Sequence, residues 1–383
     1  MRRIFFYKRV IEIMKYIWQH PQWPHFEYNL TAVQDILYQY AMITGSLSDN
    51  LSRLPNNLKI DTIIDLMVSE AIKTTEIEGE NLDRQEVRSS IMNQLGLSEK
   101  LETIRDPRAI GIAQLMISVR ENFAQPLTKH ELLTWHAMVL PTNQKNLEIG
   151  KWRTGIEPMH IVSGAIGKEI VHYVAPPSSS IEKQMEHFIA WFNETSPEKN
   201  PHLPGPVKAA IAHLYFECIH PFDDGNGRIG RAIVEKSLSQ ELKRPIIFSL
   251  STRIQKHKKE YYEQLSLASK AVIDITPWIN YFVRTIYDAL LDTQEQIAVV
   301  FKKAHFWNHY ASQLNERQST VLARMFKEDL ADFKGGITAQ KYMKIAHCSK
   351  ATATRDLQEL LSFGCIERLP GGGRNISYSI KFD

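Results

Sequence analysis

Two apolar helical runs, Val207 to Ile219 and Ile229 to Leu238, are joined by a polar turn, His220-Pro221-Phe222-Asp223-Asp224-Gly225-Asn226-Gly227-Arg228. A run that is apolar on nearly every side belongs inside a domain. Gly225 and Gly227 free the backbone from ordinary φ restrictions. Their N–H groups, with that of Asn226, can converge on an anion. The helix that begins near Arg228 points its amino end at the same spot. Arg228 and Arg231 add two guanidinium forks suited to phosphate oxygens. A bare Asp224 carboxylate would repel phosphate. Its presence makes sense with a divalent cation between them, and Mg²⁺ binds in this way. His220, with an unperturbed pKa near neutrality, can accept a proton from a hydroxyl beside such a site. Phe222 is expected to point into the core and pin the loop. Taken singly, each residue fits an ordinary polar loop with His220 capping the preceding helix. Together they point to phosphate chemistry.

The chain has 383 residues, 43% of them hydrophobic and 23% charged, which predicts two or three globular domains. A formal net charge of +3 is too mild to argue for nucleic acid by itself. Cys218, Cys348 and Cys365 form no ligand-spaced cluster and suggest a reducing compartment. No run matches a membrane span. The segment from Met1 to Lys15 is basic and keeps Glu12, unlike a secretory leader. The expectation is a soluble cytoplasmic protein with no membrane partner.

Apolar periodicity predicts a mainly α chain. Helices are expected over Lys8–His20, Leu30–Ile43 (broken by Thr44-Gly45-Ser46), Asp61–Ile77 and Ile110–Phe123. A further helix follows Thr128, its N-cap, with Glu131 at the third position. Ile161-Val162, Ile166 and Ile170 to Val174, with Gly164 and Gly167 between them, read as a short hairpin. Helices resume over Ile181–Phe192, and later over Lys256–Ser269 and Pro277–Leu290. The last segment reads as helices over Gln318–Phe326, Thr338–Ala346 and Lys350–Phe363, with a basic hairpin from Ile366 to Ser379. This is a winged helix-turn-helix order. The expected division is a helical N-terminal domain (1–97), a central helical domain (98–295) and a C-terminal winged helix-turn-helix (315–383).

The loop resembles the signature of the Fic family, His-x-Phe-x-Asp/Glu-Gly-Asn-Gly-Arg-x-x-Arg. His220, Phe222, Asp224, Gly225, Asn226, Gly227, Arg228 and Arg231 fill every fixed position. The similarity extends back through Gly150-Lys151-Trp152-Arg153, the hairpin and Pro176-Pro177, and forward through Tyr261-Tyr262. It implies a Fic-type helical core with a β-hairpin flap, and transfer of AMP from ATP to Ser, Thr or Tyr hydroxyls of proteins, self-modification included. By this resemblance His220 is the catalytic base and Asp224 the Mg²⁺ ligand. Residues Gly225 to Arg231, with Ile229 and Gly230 among them, form the triphosphate site. Val171, His172, Tyr173 and Val174 border the nucleotide in the flap, which holds the target segment by strand-like pairing. Tyr261 and Tyr262 take the place of an adenine-contacting tyrosine pair. Ser269 stands where some relatives have an asparagine near the nucleotide.

Thr74-Thr75-Glu76-Ile77-Glu78-Gly79 resembles the family's inhibitory motif, Ser/Thr-x-x-x-Glu-Gly/Asn. Thr74 and Glu78 are four apart and share a helical face. The resemblance implies that Glu78 pairs with Arg231 and blocks a productive ATP pose. Trp18 to Pro24 also looks like the helical domain that precedes the core in many bacterial Fic proteins. In the C-terminal segment, Asn315 to Asp383, eleven Lys or Arg face eight Asp or Glu. DNA contact would run through residues 350–374, with Lys350, Thr352, Thr354 and Arg355 in the recognition helix and Arg368 and Arg374 flanking Gly371-Gly372-Gly373. Protein docking or homodimer formation is the alternative use of such a module. Removal of AMP by the same pocket, and a nucleotide-sensing transcription regulator, are the rival functions.

Overall fold

A computed structural model of the chain describes residues 15–140, 148–163, 170–327, 336–370 and 376–382. It divides into two compact units, Met1–Gln294 and Glu295–Asp383. The architecture is mainly helical with small antiparallel β elements.

The first unit opens with α1 (Gln34–Arg53), α2 (Asn56–Ile77), α3 (Arg84–Gln94), α4 (Pro107–Glu121) and α5 (Lys129–Val139). The antiparallel hairpin of β1 (His160–Ser163) and β2 (Ile170–Val174) follows. Then come α6 (Ile181–Glu194), α7 (Gly205–Ile219), α8 (Asn226–Leu242), α9 (Leu250–Lys256) and α10 (Lys258–Ala268). Helix α11 (Thr276–Tyr310) crosses the division between the units.

Every residue of α7 is buried, as its all-round apolar sequence requires. Phe216 and Ile219 of α7 share one apolar cluster with Phe222, Ile229 and Ile233, and with Met67, Val68 and Ala71 of α2. Even Lys208 is enclosed. Its ammonium lies 4.1 Å from the centre of the Phe192 ring, and burial pulls its pKa down to about 7.

Several sequence expectations meet corrections. Helix α1 runs through Gly45 without a break. Buried Ile36, Tyr40, Thr44, Leu47 and Leu51 continue one apolar stripe across that position, and Thr44 satisfies its hydroxyl on the Tyr40 carbonyl at 2.7 Å. The segment from Lys256 to Ser269 is divided at His257, whose ψ of 33 ends α9 before α10 starts. Of the helix expected over Lys8–His20, residues 8–14 lie outside the described residues, and Ile17–Gln19 forms a single 3-10 turn. Thr128 does cap α5, its hydroxyl accepting the Glu131 N–H at 3.1 Å. The hairpin residues Gly164, Ile166 and Gly167 lie outside the described residues.

The second unit holds α12 (Glu316–Lys327), β3 (Ile337–Thr338), α13 (Ala339–Ala346), α14 (Lys350–Phe363), β4 (Ile366–Arg368) and β5 (Ser377–Ile380). The three strands form an antiparallel sheet in the order β3-β5-β4. Phe306 and Tyr310 of α11 are buried with Val321, Leu357 and Ile366, so this core draws on residues before 315. Between α13 and α14, His347 takes φ 48 and Ser349 caps α14. Gly371 to Arg374 of the expected wing lie outside the described residues.

Gly111 of α4 lies directly against the backbone of α5. A Cβ built there would lie 1.8 Å from the Met138 carbonyl oxygen of α5, a backbone atom that cannot step aside. Gly111→Ala should therefore destabilise the fold by about 1–3 kcal/mol, the usual cost of overpacking. A urea titration reads this as a lower midpoint at unchanged slope. An unchanged midpoint would contradict this close approach.

Candidate active site

The site is built where α7 stops. His220 is its C-cap and adopts a left-handed backbone, φ 51 and ψ 61, unusual for a residue with a side chain. Arg153 secures this conformation. Its backbone N–H donates to the Pro221 carbonyl at 2.9 Å, and its Nε donates to the His220 carbonyl at 2.8 Å. Its Nη2 donates to the Pro176 carbonyl at 2.6 Å. Burial and the nearby Arg153 charge lower the His220 pKa to about 4. The ring is thus neutral near pH 7, with a lone pair available for a proton.

The loop closes on itself. The Asn226 side chain accepts from the Phe222 N–H at 3.0 Å and donates to the Phe222 carbonyl at 2.8 Å. Phe222 is fully buried, stacked on His136 with ring centres 4.0 Å apart. Gly225 starts α8 at φ 82, a conformation that favours glycine. Its N–H donates to Asp224 Oδ1 at 2.6 Å, so the anion nest expected from Gly225, Asn226 and Gly227 has one donor already engaged. The first-turn N–H groups of α8 that follow have no intrahelical acceptor and carry the positive end of the helix dipole. Ile229 is core. At Gly230 a Cβ would fall 2.5 Å from Glu217 Oε1, so this glycine permits the tight α7–α8 contact.

Helix α2 delivers its last turn to this loop. Arg231 Nε donates to Thr74 Oγ1 at 2.7 Å, and Nη2 donates both to the Thr74 carbonyl at 2.8 Å and to Glu78 Oε1 at 2.7 Å. The carboxylate is thus engaged through one oxygen, and Thr74 occupies the second edge of the fork. Arg231 Nη1, Arg228 Nε and Arg228 Nη2 are buried with no hydrogen-bond partner among the described residues. Burial opposes the Arg231 charge, and Glu78 together with the Tyr261 and Tyr262 side chains outweighs it, so the guanidinium pKa is raised. A Cβ at Gly227 would lie 2.1 Å from Glu78 Oε1, so Glu78 fills the space that this glycine leaves open. Buried Glu217 is held protonated, its pKa raised to about 8 by burial and by the neighbouring Glu78 charge.

The flap and tyrosine residues are placed less uniformly. Val171 and His172 are exposed. Tyr173 instead turns inward, and its hydroxyl donates to the Cys218 carbonyl at 2.7 Å. The Val174 carbonyl accepts from Trp18 Nε1 at 2.8 Å. Tyr261 is buried with its hydroxyl 2.7 Å from His213 Nε2. Tyr262 is 40% exposed and donates to the Ile77 carbonyl at 3.2 Å, touching the end of α2. Ser269 caps α10, donates to the Ser266 carbonyl at 3.0 Å and is nearly buried. Sequence reasoning missed the roles of Arg153 and His136. Arg153 lay within the quoted Gly150–Arg153 stretch, but its reach to His220 has no local signature.

The residues fit an anion with a divalent cation. Asp224 is 46% exposed at the lip, with Arg228 Nη2 3.6 Å from its Oδ1. Among the described residues no trio of His, Cys, Asp or Glu is grouped around a metal position. One carboxylate sharing a cation with phosphate oxygens matches Mg²⁺. Among the described residues no helix is long and apolar enough to cross a membrane.

Residues 126–238 match the Fic/DOC family, and residues 16–97 match a domain of unknown function, DUF4172. "Protein adenylyltransferase Fic" of Aedes aegypti is 34% identical over 110 residues, 28% of this chain and 20% of that protein. Its namesake in Nematostella vectensis is 26% identical over 212 residues, 54% of this chain and 44% of that protein. The chain thus spans less than half the length of these curated relatives. Among solved structures, a Fic family protein from Desulfovibrio desulfuricans superposes with a TM-score of 0.55 at 20% identity, covering 93% of this chain and 97% of that one. A Fic domain containing signaling protein from Bacteroides thetaiotaomicron gives 0.53 at 15% identity, covering 70% and 97%. At these identities the structures speak to fold alone. The family match contains the whole loop from His220 to Arg231, all of α7 and α8 as far as Leu238, and through that segment the chain is homologous to Fic/DOC-family adenylyltransferases.

Proposed function

We propose that the protein is an adenylyltransferase that moves AMP from ATP to a hydroxyl of a protein side chain, itself included, and that Glu78 restrains it. The observation that carries this reading is the juxtaposition of a neutral His220 with an anion-binding helix start whose two arginines are buried. His220 accepts the proton of the attacking hydroxyl. The oxygen forms a bond to the α-phosphorus, and pyrophosphate leaves with the electrons of the broken P–O bond. The amino end of α8, Arg228 and Arg231 hold the phosphate chain and stabilise its charge. Bound Mg²⁺, held by Asp224 and phosphate oxygens, would neutralise charge on the leaving pyrophosphate. Tyr262 borders the base, and the exposed strand edge at Val171 and His172 receives the target segment.

In the restrained state Glu78 and Thr74 occupy the Arg231 guanidinium. A carboxylate there cancels the charge meant for the terminal phosphate and repels the incoming triphosphate. The last segment is proposed as a docking or dimerisation module rather than a DNA reader, because its basic excess is small.

His220→Ala should abolish transfer of label from α-labelled ATP while largely preserving nucleotide affinity. Equal transfer by mutant and wild type would remove His220 from the role of base. With a free-enzyme pKa near 4, kcat/KM should stay flat from pH 7.5 to 5.5. An unperturbed histidine would lose about tenfold over its acid limb by then. An acid limb centred near 6.5 would contradict the buried, neutral imidazole. Asp224→Ala should lose the Mg²⁺-dependent part of the rate, and an unchanged Mg²⁺ titration would place the metal elsewhere.

A further inference from the structure

Glu80, two residues beyond Glu78, meets the other arginine of the loop. We infer that Glu80 is a positioning residue that acts through Arg228 to keep Asp224 free for the divalent cation. The inference rests on the reading of Asp224 as the metal carboxylate.

The placement follows from how α2 ends. Gly79, at φ 87, donates its N–H to the Glu76 carbonyl at 3.0 Å, and Glu80 donates to the Thr75 carbonyl at 3.2 Å. These paired bonds form a Schellman cap, which reverses the chain within two residues. The two carboxylates flanking Gly79 then reach two cations one turn apart on α8. Glu78 Oε1 accepts from Arg231 Nη2 at 2.7 Å, and Glu80 Oε1 accepts from Arg228 Nη1 at 3.2 Å. The second oxygen of Glu80 is anchored from outside by Arg108 Nη1 at 3.0 Å. Arg108 is itself held by Asp106, with Nη2 2.7 Å from Oδ2.

Arg228 is 3% exposed, and a cation so buried needs a carboxylate close by. Its Nη1 has Glu80 and the Val139 carbonyl, the latter at 3.1 Å. Its Nη2 has no hydrogen-bond partner among the described residues and stands 3.6 Å from Asp224 Oδ1. Glu80 shares the charge of Arg228, so Asp224 is left short of a direct hydrogen bond to Arg228 and turned partly to solvent. Without the charge on Glu80, Asp224 is the remaining carboxylate in an ion pair with this guanidinium among the described residues. The Arg228–Asp224 pair then tightens and withdraws Asp224 from the metal. If Glu80 were instead a second plug on the phosphate site, its removal would free Arg228 and strengthen nucleotide binding without any metal.

The test compares Glu78→Gly with Glu78→Gly/Glu80→Gln and Glu78→Gly/Glu80→Asp, so that the nucleotide site is open in all three. Calorimetry measures affinity for a non-hydrolysable ATP analogue in Mg²⁺ and again in EDTA. Glutamine is isosteric and neutral. It should lower the affinity in Mg²⁺ about tenfold, as loss of groups that orient a metal ligand does, and leave the EDTA affinity unchanged. Aspartate, which keeps the charge, should restore most of the loss. A loss of the same size in both media would mean a structural role, and tighter binding in EDTA would mean a plug. Either result overturns the inference. Mg²⁺ dependence in the parent that Glu80→Gln leaves unaltered defeats the inference alone. No Mg²⁺ dependence in any of the three defeats the metal reading with it.

Discussion

Arg231 is a cation in a helix that is otherwise walled off from water, and the arrangement of the site follows from how its charge is met. Two of its nitrogens are taken by the last turn of α2, through Thr74 and Glu78. Removing one partner from a buried ion pair leaves an uncompensated charge, which is costly even where the pair itself adds little net stability. Helix α2 is thereby registered against α8, and the end of α2 lies directly over the loop that would receive phosphate. The same contact that satisfies the folded chain obstructs the proposed reaction.

Glycines make this contact fit. At Gly227 the space of a side chain is filled by Glu78, and at Gly230 by Glu217 of α7. The loop is a narrow slot between three helices, and its shape depends on which positions lack a Cβ. Arg153 and His136 complete the mould from outside. Arg153 fixes the backbone of His220, and His136 supports Phe222 from below. A carboxylate in that slot has two consequences. It neutralises the buried Arg231 charge, and it helps keep Glu217 protonated, so the slot does not carry two negative charges.

The loop itself was legible in the sequence because its parts are contiguous, with each residue's chemistry bearing on the same anion. The pairing of Thr74 with Glu78 on one helix face was legible from their spacing, and both contact Arg231. Less was visible where a role depends on distant chain. Tyr173 turns inward to Cys218, and strand alternation could not settle this because the hairpin register shifts between Ile161 and Val162. Gly45 was read as a stop, yet the buried stripe through Thr44 and Leu47 carries α1 past it. Glu80 reads locally as one more acidic residue at a helix end. Its reach to Arg228, 148 residues away, exists only once α2 and α8 meet.

The central claim is that the Glu78–Arg231 contact holds a competent transferase in check. Incubation of wild type and Glu78→Gly with saturating α-labelled ATP and Mg²⁺, followed by counting label on the protein, tests it most directly. A coupling of about 2–3 kcal/mol between brake and phosphate site predicts that Glu78→Gly labels roughly thirty- to a hundredfold faster. Label supplied on the γ-phosphate should stay off the protein in both. Equal rates for Glu78→Gly and wild type would contradict the account.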